Sequence, residues 1–340
     1  MSKIKIGING LGRIGRTVIR EFTKRQSEGM YPNIEIAAIN NPGCRDTYLH
    51  LVKYDSLHRN FPGEVKLEND FLIAGTNKMF FFQQRDPSEI DWSSQNVDIV
   101  IDATGIFKDK EALSAHLGGS VKKVMMCAPG KNLDGTFVFG INHETYNNDE
   151  HHVVSNASCT TNCLAPVAKV LDEAFGIEQG LMTTIHAYTG DQNVLDANHS
   201  DLRRARACGM SMIPTTTGAA KAVGLVLPNL KGKLDGYAVR VPTPDVSMVD
   251  LTVMLKKEAS KEEINKAIIE ASDTNLKGVL SYEKAPLVSI DFLGNPHSSI
   301  FDLGLTNVIG KQAKIVTWYD NEVGFSNRVI DLANHIASKL

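Results

Sequence analysis

Residues 4–16 read Ile-Lys-Ile-Gly-Ile-Asn-Gly-Leu-Gly-Arg-Ile-Gly-Arg, a short run containing β-branched residues followed by a glycine-rich turn. Apolar side chains then recur at helical spacing from Ile14 to Phe22. Gly10, Gly12 and Gly15 therefore form a G-x-G-x-x-G motif between a predicted strand and a predicted helix, which is the context that the motif requires. The first turn of such a helix offers N–H groups and the positive end of a dipole to a pyrophosphate. The segment predicts a dinucleotide-binding unit, with a purely structural glycine turn as the alternative.

The dinucleotide motif also predicts the roles of individual positions. Gly10 permits the tight turn, Gly12 lets the backbone approach the pyrophosphate, and Gly15 allows the helix to pack against the strand. The second strand ends in Asn41 rather than in the carboxylate that would bind a ribose 2′-OH. Asn41 can hydrogen-bond a hydroxyl but does not repel a 2′-phosphate, and Arg45 is close enough in sequence to reach such a phosphate. The choice between NAD and NADP is therefore open at this point.

The pattern of strands and helices changes along the chain. Up to about residue 126, the apolar runs 34–39, 97–101 and 121–126 alternate with helical stretches, which is typical of a parallel, doubly wound sheet. After about residue 150 the predicted strands follow one another with few helices between them, which favours an α+β domain with an antiparallel or mixed sheet. These later strands are 180–188, 237–243, 247–255, 299–303 and 314–319. The sequence ends in an amphipathic helix over 329–336 whose apolar face must be buried.

Composition excludes several classes of protein. A chain of 340 residues with 42% hydrophobic and 22% charged residues is long enough for about two globular domains. The formal net charge of −3 gives no basic surface for gripping nucleic acid, and no apolar run is long enough to span a membrane. Five cysteines are too few, and odd in number, for a disulfide scaffold, and the first residues lack the features of a signal peptide. We therefore expect a cytoplasmic protein without membrane or nucleic-acid partners, and we expect no metal site.

A candidate nucleophile lies in the segment 157–163, which reads Ala-Ser-Cys-Thr-Thr-Asn-Cys and precedes a helical apolar pattern. Ser158 is a natural N-cap, so Cys159 is predicted to lie in the first turn of the helix. There the helix dipole and the N–H groups are expected to stabilise a thiolate and lower the pKa of Cys159. Cys163 lies one turn further on the same face, and a buried spectator is a better interpretation of it than a resolving thiol.

A candidate base follows 27 residues after the nucleophile. His186 ends an alternating run that predicts a strand, and a histidine at a strand end can face a cysteine across a cleft. Such a pair would supply a proton acceptor and then a proton donor. A lone histidine is more often structural, so the pairing depends on the surrounding sequence.

Eight segments together make the chain resemble the phosphorylating glyceraldehyde-3-phosphate dehydrogenases over essentially its whole length. They are GINGLGRIGR at 7–16, KYDS at 53–56, ASCTTNCLAP at 157–166, HAYTGDQ at 186–192, DLRRARA at 201–207, PTTTGAAKAVG at 214–224, RVPT at 240–243 and WYDNE at 318–322. The resemblance implies a Rossmann dinucleotide-binding domain over 1–157, completed by a C-terminal helix over 322–340. It implies a catalytic domain over 158–321, a cytoplasmic location and a homotetramer.

The resemblance also implies the chemistry. Cys159 matches the nucleophile that attacks the aldehyde of glyceraldehyde 3-phosphate, and His186 matches its partner, which takes the hydroxyl proton as hydride passes to the nicotinamide. The resulting thioester is then displaced by inorganic phosphate to give 1,3-bisphosphoglycerate, so that a covalent intermediate divides the reaction into two easier steps.

Binding residues follow by the same matching. Thr189 and Arg240 match the site of the substrate phosphate, with Asp191 nearby. The site of the attacking phosphate is matched by Ser158, Thr160, Arg204, Thr217 and Gly218. The hydroxyl-rich run 215–218 is by itself a plausible anion nest at a helix start, with an ordinary N-cap cluster as the equal alternative. The cofactor positions implied are Arg13 and Ile14 at the pyrophosphate, Asn41 and Arg85 near the adenosine, Thr104 and Cys127 near the ribose and nicotinamide, and Asn321 at the carboxamide.

Departures from the family pattern concern the cofactor. Asn41 stands where NAD-preferring members have Asp, and Ala197-Asn198 stands where they usually have Leu-Pro, in the loop beside a neighbouring subunit's adenosine ribose. Phe325 replaces a common Tyr, with little expected effect. We therefore predict NAD as the cofactor with NADP also accepted.

Three rival functions remain at this stage. An erythrose-4-phosphate dehydrogenase shares the fold and the Cys–His chemistry but departs from the PTTTGAAKAVG and HAYT segments, which are intact here. A Cys–His amidase or protease would not bind a dinucleotide. A purely binding role is disfavoured by the intact Cys159, His186 and Arg240, although a second role beside catalysis stays open.

Overall fold

The structure, a computed structural model, describes residues 3–340 and divides the chain into two units. The first unit contains the described residues up to Phe137 together with His143–Ala157 and Ser326–Leu340. The second unit contains Val138–Asn142 and Ser158–Phe325. Within residues 3–340, no helix has both the length and the apolar character needed to cross a bilayer.

The first unit is built on a nine-stranded sheet and carries a separate two-stranded hairpin. Its strands are β1 (Ile4–Asn9), β2 (Ile34–Asn40), β3 (Tyr54–Asp55), β4 (Arg59–Asn60), β5 (Val65–Glu68), β6 (Phe71–Ala74), β7 (Asn77–Phe82), β8 (Ile99–Asp102), β9 (Lys123–Met126), β10 (Gly135–Thr136) and β11 (Val153–Ser155). The order across the large sheet is β10-β11-β9-β8-β1-β2-β7-β6-β5. All neighbours from β10 to β7 are parallel, so the predicted doubly wound sheet is confirmed. β5, β6 and β7, which were not expected from the sequence, form an antiparallel edge of this sheet.

The order of these strands fixes where a ligand can bind. The chain passes from β1 to β2 on one side and later returns to β8 on the other side of β1. Ligands of open α/β sheets bind at such a switch point, outside the carboxyl ends of the strands. The glycine turn at residues 10–12 follows β1 and lies at this point.

The second unit contains an eight-stranded mixed sheet, as predicted. Its strands are β12 (Ile177–Ala187), β13 (Ile213–Thr216), β14 (Leu234–Val241), β15 (Ser247–Leu255), β16 (Leu280–Glu283), β17 (Ser299–Asp302), β18 (Asn307–Ile309) and β19 (Gln312–Tyr319). The order is β13-β14-β12-β15-β19-β17-β16, with β18 paired to β19. The pairs β12–β14 and β16–β17 are parallel, and the remaining pairs are antiparallel.

Seven helices accompany the sheets in the described chain. They are α1 (Arg13–Ser27), α2 (Arg45–Lys53), α3 (Lys110–Ser114), α4 (Cys159–Phe175), α5 (Ala219–Val226), α6 (Lys261–Asp273) and α7 (Val323–Ala337). In the core of the second unit, apolar side chains of α4 such as Leu164 and Leu171 cluster with Val249 and Leu251 of β15. This packing sets the start of α4 over the carboxyl end of β12.

The last helix, α7, begins in the second unit and belongs to the first unit from Ser326 onwards. Its predicted apolar residues, among them Leu332 and Ile336, are fully buried. Within the first unit, Asp331 accepts a hydrogen bond from Arg25 of α1 over 3.0 Å. The helix is therefore tied by polar as well as apolar contacts.

Candidate active site

The glycine turn of the first unit has no room for side chains at two of its three glycines. Gly10 has a φ of 97°, and a Cβ atom there would lie 2.9 Å from the backbone nitrogen of Thr104. A Cβ atom at Gly15 would lie 2.0 Å from the carbonyl oxygen of Gly10. A Cβ atom at Gly12, by contrast, would meet no atom within 4 Å. The first two glycines serve turn and packing, whereas Gly12 leaves open space at the start of α1.

The start of α1 carries no capping side chain, because its N-cap is Gly12. The backbone N–H groups of the first turn are thus not covered by a capping oxygen from the N-cap residue. Ile14 lies in this turn and is half-buried. A helix start of this kind is suited to binding phosphate oxygens.

A buried network of polar side chains joins the ends of three strands beneath this turn. Asn40 donates to Asn9 over 2.8 Å, Asn9 donates to Asp102 over 2.9 Å, and the Thr104 hydroxyl donates to Asp102 over 2.7 Å. Of these four residues, sequence reasoning identified only Thr104. The missed signal is that Asn9, Asn40 and Asp102 are each the polar residue that ends an apolar strand.

The arginines near the predicted cofactor site are already engaged with carboxylates. Arg45 donates to Asp70 over 2.6 Å and to the carbonyl oxygen of Phe81 over 2.7 Å. To reach a 2′-phosphate, the Arg45 guanidinium would have to leave Asp70 and the Phe81 carbonyl oxygen. Asn41 accepts a hydrogen bond from the backbone N–H of Leu11 over 3.2 Å.

Arg13 forms a two-pronged pair with Asp55, over 2.5 and 3.1 Å. Burial alone would raise the pKa of Asp55, but the Arg13 guanidinium and the N–H groups of Leu57 and His58 outweigh it and hold the pKa well below its usual value. Of the other predicted cofactor residues, Arg85 is exposed in the loop after β7, and Cys127 is half-buried directly after β9.

In the second unit, the nucleophile segment folds as predicted. The Ser158 hydroxyl accepts a hydrogen bond from the backbone N–H of Thr161 over 3.0 Å and so caps α4, whose first residue is Cys159. Ala157, directly before the cap, has a φ of 58°, a left-handed conformation that costs about 1–3 kcal/mol for a residue with a side chain. Strain of this size persists only where the surrounding structure imposes it, and here it sets the entry of the chain into α4.

Cys159 and His186 face each other at the carboxyl end of β12. The distance from Cys159 Sγ to His186 Nε2 is 3.5 Å. On the other side of the ring, Nδ1 lies 2.7 Å from the carbonyl oxygen of Ala187 and 2.8 Å from Nη1 of Arg240. Because Nδ1 has both an acceptor and a donor beside it, either neutral tautomer is stabilised, and Nε2 can take up or return a proton at the sulfur.

Burial dominates the protonation of this pair. It lowers the pKa of His186 to about 3, and the positive charge of Arg240 adds to the effect. Burial also raises the pKa of Cys159, and this outweighs the opposing influence of Arg240 and of hydrogen bonds with Thr160. The prediction of a lowered Cys159 pKa is therefore wrong, because it considered the helix terminus but not the desolvation of the thiol. A neutral imidazole beside a neutral thiol is arranged to accept the thiol proton when the sulfur attacks.

Cys163 is one turn deeper in α4 and is fully buried. Its sulfur contacts the hydroxyls of Ser299 and Thr317 at 3.8 and 3.9 Å, and burial raises its pKa. The interpretation of Cys163 as a buried spectator agrees with these contacts.

Tyr319, at the end of β19, was assigned no role by sequence reasoning. Its hydroxyl hydrogen-bonds the hydroxyls of Thr160 on α4 and Thr184 on β12, over 2.8 and 2.9 Å. Its ring packs edge-on against His186 at a centroid distance of 5.9 Å. Burial raises the pKa of Tyr319 well above its usual value. This neutral hydroxyl therefore fixes the start of α4 relative to the strand that carries His186.

A second group of polar side chains surrounds Arg204. Its guanidinium donates to Asp191 over 2.5 Å, to the Thr215 hydroxyl over 2.9 Å and to the carbonyl oxygen of Thr216 over 3.3 Å. Burial would raise the pKa of Asp191, but Arg204 and then His199 lower it. The structure thus brings Asp191 and Arg204 together, although the resemblance associated them with different phosphates.

The run 215–218 leads directly into α5, whose N-cap is Gly218 and has no capping side chain. The Thr217 hydroxyl accepts a hydrogen bond from the backbone N–H of Ala219 over 3.2 Å. Thr189 lies in the loop after β12, and Arg240 lies near the end of β14, in the strand that pairs with β12. Nε of Arg240 is buried and, within residues 3–340, has no hydrogen-bond partner.

Asn321, expected at the nicotinamide carboxamide, is buried after β19. The Ser247 hydroxyl donates to the side-chain oxygen of Asn321 over 2.7 Å and accepts from the backbone N–H of Ala187 over 3.1 Å. Ser247 therefore links the orientation of Asn321 to the residue beside His186. It was not identified from the sequence, because a serine at the start of a strand carries no distinguishing pattern.

Comparison with known proteins gives consistent results for both units. Residues 4–110 match the glyceraldehyde 3-phosphate dehydrogenase NAD binding domain, and residues 158–321 match the glyceraldehyde 3-phosphate dehydrogenase C-terminal domain. The chain is 54% identical to glyceraldehyde-3-phosphate dehydrogenase of Xanthobacter flavus over 331 residues, which cover 97% of each chain. It is 52% identical to that of Geobacillus stearothermophilus over 337 residues, covering 99% of each chain. It is 50% identical to glyceraldehyde-3-phosphate dehydrogenase 2 of Bacillus subtilis over 340 residues, covering 99% of this chain and 98% of the relative.

Both halves of the sequence, each with the site geometry described above, agree with a single family along nearly the whole chain. The chain belongs to the glyceraldehyde-3-phosphate dehydrogenase family.

Proposed function

We propose that Cys159 is the nucleophile and His186 the proton carrier with which this enzyme oxidises and phosphorylates glyceraldehyde 3-phosphate to 1,3-bisphosphoglycerate. The observation that carries the assignment is the 3.5 Å separation of Cys159 Sγ and His186 Nε2 at the start of a capped helix. The cationic group of Arg240 lies against the far side of the imidazole ring.

The reaction begins with proton transfer within the pair. As the sulfur bonds to the aldehyde carbon, the thiol proton passes to Nε2 of His186, which the depressed pKa keeps neutral beforehand. The carbonyl oxygen takes up that proton to give a thiohemiacetal, and His186 then accepts the hydroxyl proton as the carbon loses hydride. When bound, NAD supplies the hydride acceptor. Inorganic phosphate attacks the thioester carbon, the C–S bond breaks, and the sulfur leaves as a thiolate stabilised by the protonated imidazole.

Two groups of donors are proposed to hold the two phosphates. Thr189 and Arg240, with Asp191 nearby, bind the phosphate of the substrate, and the buried Nε of Arg240 supports this because it is an unmet cationic donor. The attacking phosphate is proposed to bind at Ser158, Thr160, Arg204, Thr217 and Gly218, where a hydroxyl-rich run leads into a helix start without a capping side chain.

NAD is the cofactor of this family, and we propose that the enzyme accepts NADP as well. The support is chemical: the residue directly after β2 is Asn41, which brings no negative charge to a 2′-phosphate. Because Arg45 is paired with Asp70, its guanidinium does not bind the 2′-phosphate. We therefore expect the enzyme to accept NADP without preferring it to NAD. Steady-state kcat/KM with each cofactor tests this, and a preference for NAD above about a hundredfold, or ~2.7 kcal/mol, would contradict it.

We propose that the chain assembles as a homotetramer and works in the cytoplasm. One face of the second sheet supports the assembly, because Leu181 and Tyr237, which share a face through the pairing of β12 with β14, are 68% and 53% exposed. Light scattering after size-exclusion chromatography measures the assembly, and Leu181→Glu should reduce the mass by half or more. An unchanged mass would show that this face is not an interface. Five cysteines without disulfides suit a reducing compartment.

The assignment of the nucleophile is tested with Cys159→Ser, with Cys44→Ser as a matched control at an exposed thiol. We expect Cys159→Ser to lose dehydrogenase activity by at least about 10⁴-fold while its NAD affinity, measured by fluorescence quenching, stays within a factor of three. Cys44→Ser should retain full activity. Full turnover by Cys159→Ser would remove Cys159 from the role of nucleophile.

A further inference from the structure

Three side chains of metal-ligating types meet in the first unit, in a region that the reaction does not use. His143 and Glu144 begin a single 3-10 turn, His143–Thr145, and His335 lies in the last turns of α7. One ligand atom from each of the three lies within 4.8 Å of the others. His335 is almost 200 residues away from the adjacent pair His143 and Glu144 in the sequence, so no local spacing indicated a metal site.

One ring nitrogen of His335 has no hydrogen-bond partner in the described chain. This nitrogen, Nε2, is buried. The ring of His335 hydrogen-bonds the backbone of His143, an interaction that opposes the lowering of the His335 pKa by burial. Because Nε2 has no partner, the donating nitrogen is Nδ1, and the neutral ring keeps its lone pair on Nε2. This is how ligating histidines are usually oriented, with one nitrogen donating to a carbonyl or carboxylate and the other binding the metal.

His143 and Glu144 complete the arrangement. Nε2 of His143 lies 3.2 Å from Oε1 of Glu144, and the rings of His143 and His335 meet edge to face at a centroid distance of 5.0 Å. Burial lowers the pKa of both histidines, and for His143 the neighbouring His335 adds to the effect. The Glu144 side chain is 76% exposed, so its carboxylate is accessible from solvent.

The donor set indicates the class of ion. Two imidazole nitrogens with one carboxylate oxygen are typical of Zn²⁺ and other divalent transition metals, whereas Mg²⁺ prefers an all-oxygen shell. Ligands about 2.1 Å from a tetrahedral metal stand roughly 3.4 Å apart. The present separations of up to 4.8 Å therefore need a closure of up to about 1.4 Å, which movement of the exposed Glu144 side chain and of the two rings would have to supply.

We propose that His143, Glu144 and His335 bind one divalent transition-metal ion, with Zn²⁺ as its representative and water as the remaining ligand. The ion joins α7 to the segment 143–157, which leads directly into the capped helix that carries Cys159. Its expected effect is to stabilise the fold of the first unit and to restrain that segment. It takes no part in the dehydrogenase chemistry.

The test uses the full-length chain in a Cys159→Ser background, because the active-site thiol can itself bind zinc. Zn²⁺ binding is measured by equilibrium dialysis, and the melting temperature is recorded with and without ZnCl₂. We expect about one Zn²⁺ per chain and a rise in melting temperature, and MgCl₂ should produce neither. The matched control is His50→Gln, a change at an exposed histidine of α2 outside the cluster.

Against that control, His335→Gln should weaken Zn²⁺ binding by at least tenfold and abolish the rise in melting temperature. Glu144→Gln, at an exposed position where folding is not at risk, should weaken binding several-fold and serves if His335→Gln folds poorly. Equal affinity and stoichiometry in Glu144→Gln and His50→Gln would overturn the proposal and assign the binding to other groups, such as the exposed Cys44 thiol.

Discussion

Helices α1 and α4 both begin at functional positions, but they begin in opposite ways. α1 starts after Gly12, which offers no side chain to cap it, whereas α4 starts after Ser158, whose hydroxyl caps the backbone N–H of Thr161. A helix start without a capping side chain leaves its first backbone N–H groups available to a ligand. A capped helix start has a fixed first turn, which holds the side chain of its first residue in place. The comparison teaches that the N-cap residue sets what a helix start offers: backbone N–H groups at α1, where we propose that the pyrophosphate binds, and a fixed side chain at α4, where we propose the nucleophile.

Among the variants that test this comparison, the largest effect is expected from removing His186, the partner of Cys159 at the capped start of α4. His186→Asn keeps a polar side chain but has no group that accepts the thiol proton, so kcat should fall by about 10²–10⁴-fold. Stopped-flow measurement of NADH formation checks this. The rate of Cys159 alkylation by iodoacetamide should also fall at pH 7 and recover toward higher pH, since burial raises the pKa of the thiol. A kcat within tenfold of the parent enzyme would show that His186 is not the proton acceptor.

The same histidine should make stability depend on pH. Its pKa in the folded chain is about 3, below the ordinary value of about 6.5 for an unfolded chain, so between these values the unfolded chain binds a proton that the folded chain does not. Stability is therefore lost as the pH falls through this window and is fully present above it. The free energy of unfolding is measured with urea at pH 7 and at pH 5. Between these two pH values, His186→Asn should lose about 2 kcal/mol less of this free energy than the parent enzyme. Equal losses would contradict a depressed pKa.

Two alanine substitutions in the glycine motif test the uncapped start of α1. Gly15→Ala places a Cβ atom 2.0 Å from the Gly10 carbonyl oxygen, so the turn must shift, at a cost of about 1–3 kcal/mol in the free energy of unfolding. Gly12→Ala meets no atom of the chain and should leave stability within about 0.5 kcal/mol while weakening NAD binding at least tenfold. Thermal unfolding and NAD titration separate the two. Unchanged NAD affinity in Gly12→Ala would mean that the pyrophosphate lies elsewhere.

The two helix starts also differ in how much of each could be read from the sequence. The glycine turn and the Ser158–Cys159 pair lie within consecutive residues, so local rules of turn and cap were sufficient to predict them. The fold class followed from the order of strands and helices, although the antiparallel edge of β5 and β6 did not. Tyr319, Ser247 and the Asn9–Asp102 network depend on contacts between distant segments, which no local pattern encodes.

The protonation of the site shows a second kind of limit. Position at a helix terminus is visible in the sequence and predicts a lowered pKa for Cys159. The depth at which the folded chain encloses that sulfur is not visible, and this desolvation is the larger influence. Arg45 illustrates the same point, because Asp70, which holds it, lies 25 residues further along the chain.

Tyr319→Phe tests whether the position of the capped start of α4 also depends on its hydrogen-bonded link to β12 through the Tyr319 hydroxyl. The change leaves the hydroxyls of Thr160 and Thr184 without a shared partner in a buried site, which should cost about 1–3 kcal/mol in the free energy of unfolding. It should also lower kcat more than it raises KM, because α4 is then less firmly held relative to His186. Tyr54→Phe, at an exposed tyrosine, is the control. A stability equal to that of the control would show that the hydroxyl provides no link between α4 and β12.

The smallest effect is expected from the cap itself, and it distinguishes the two helix starts most directly. Ser158→Ala removes the acceptor for the Thr161 N–H and should cost about 1 kcal/mol of stability. Ser260→Ala removes the equivalent cap of α6, so it should cost a similar amount and leave kinetics unchanged. If Ser158 also binds the attacking phosphate, as we propose, only Ser158→Ala raises the KM for inorganic phosphate. Equal kinetic constants in the two variants would mean that Ser158 acts only as a helix cap. The attacking phosphate would then bind at the uncapped start of α5, just as we propose that the pyrophosphate of the cofactor binds at the uncapped start of α1.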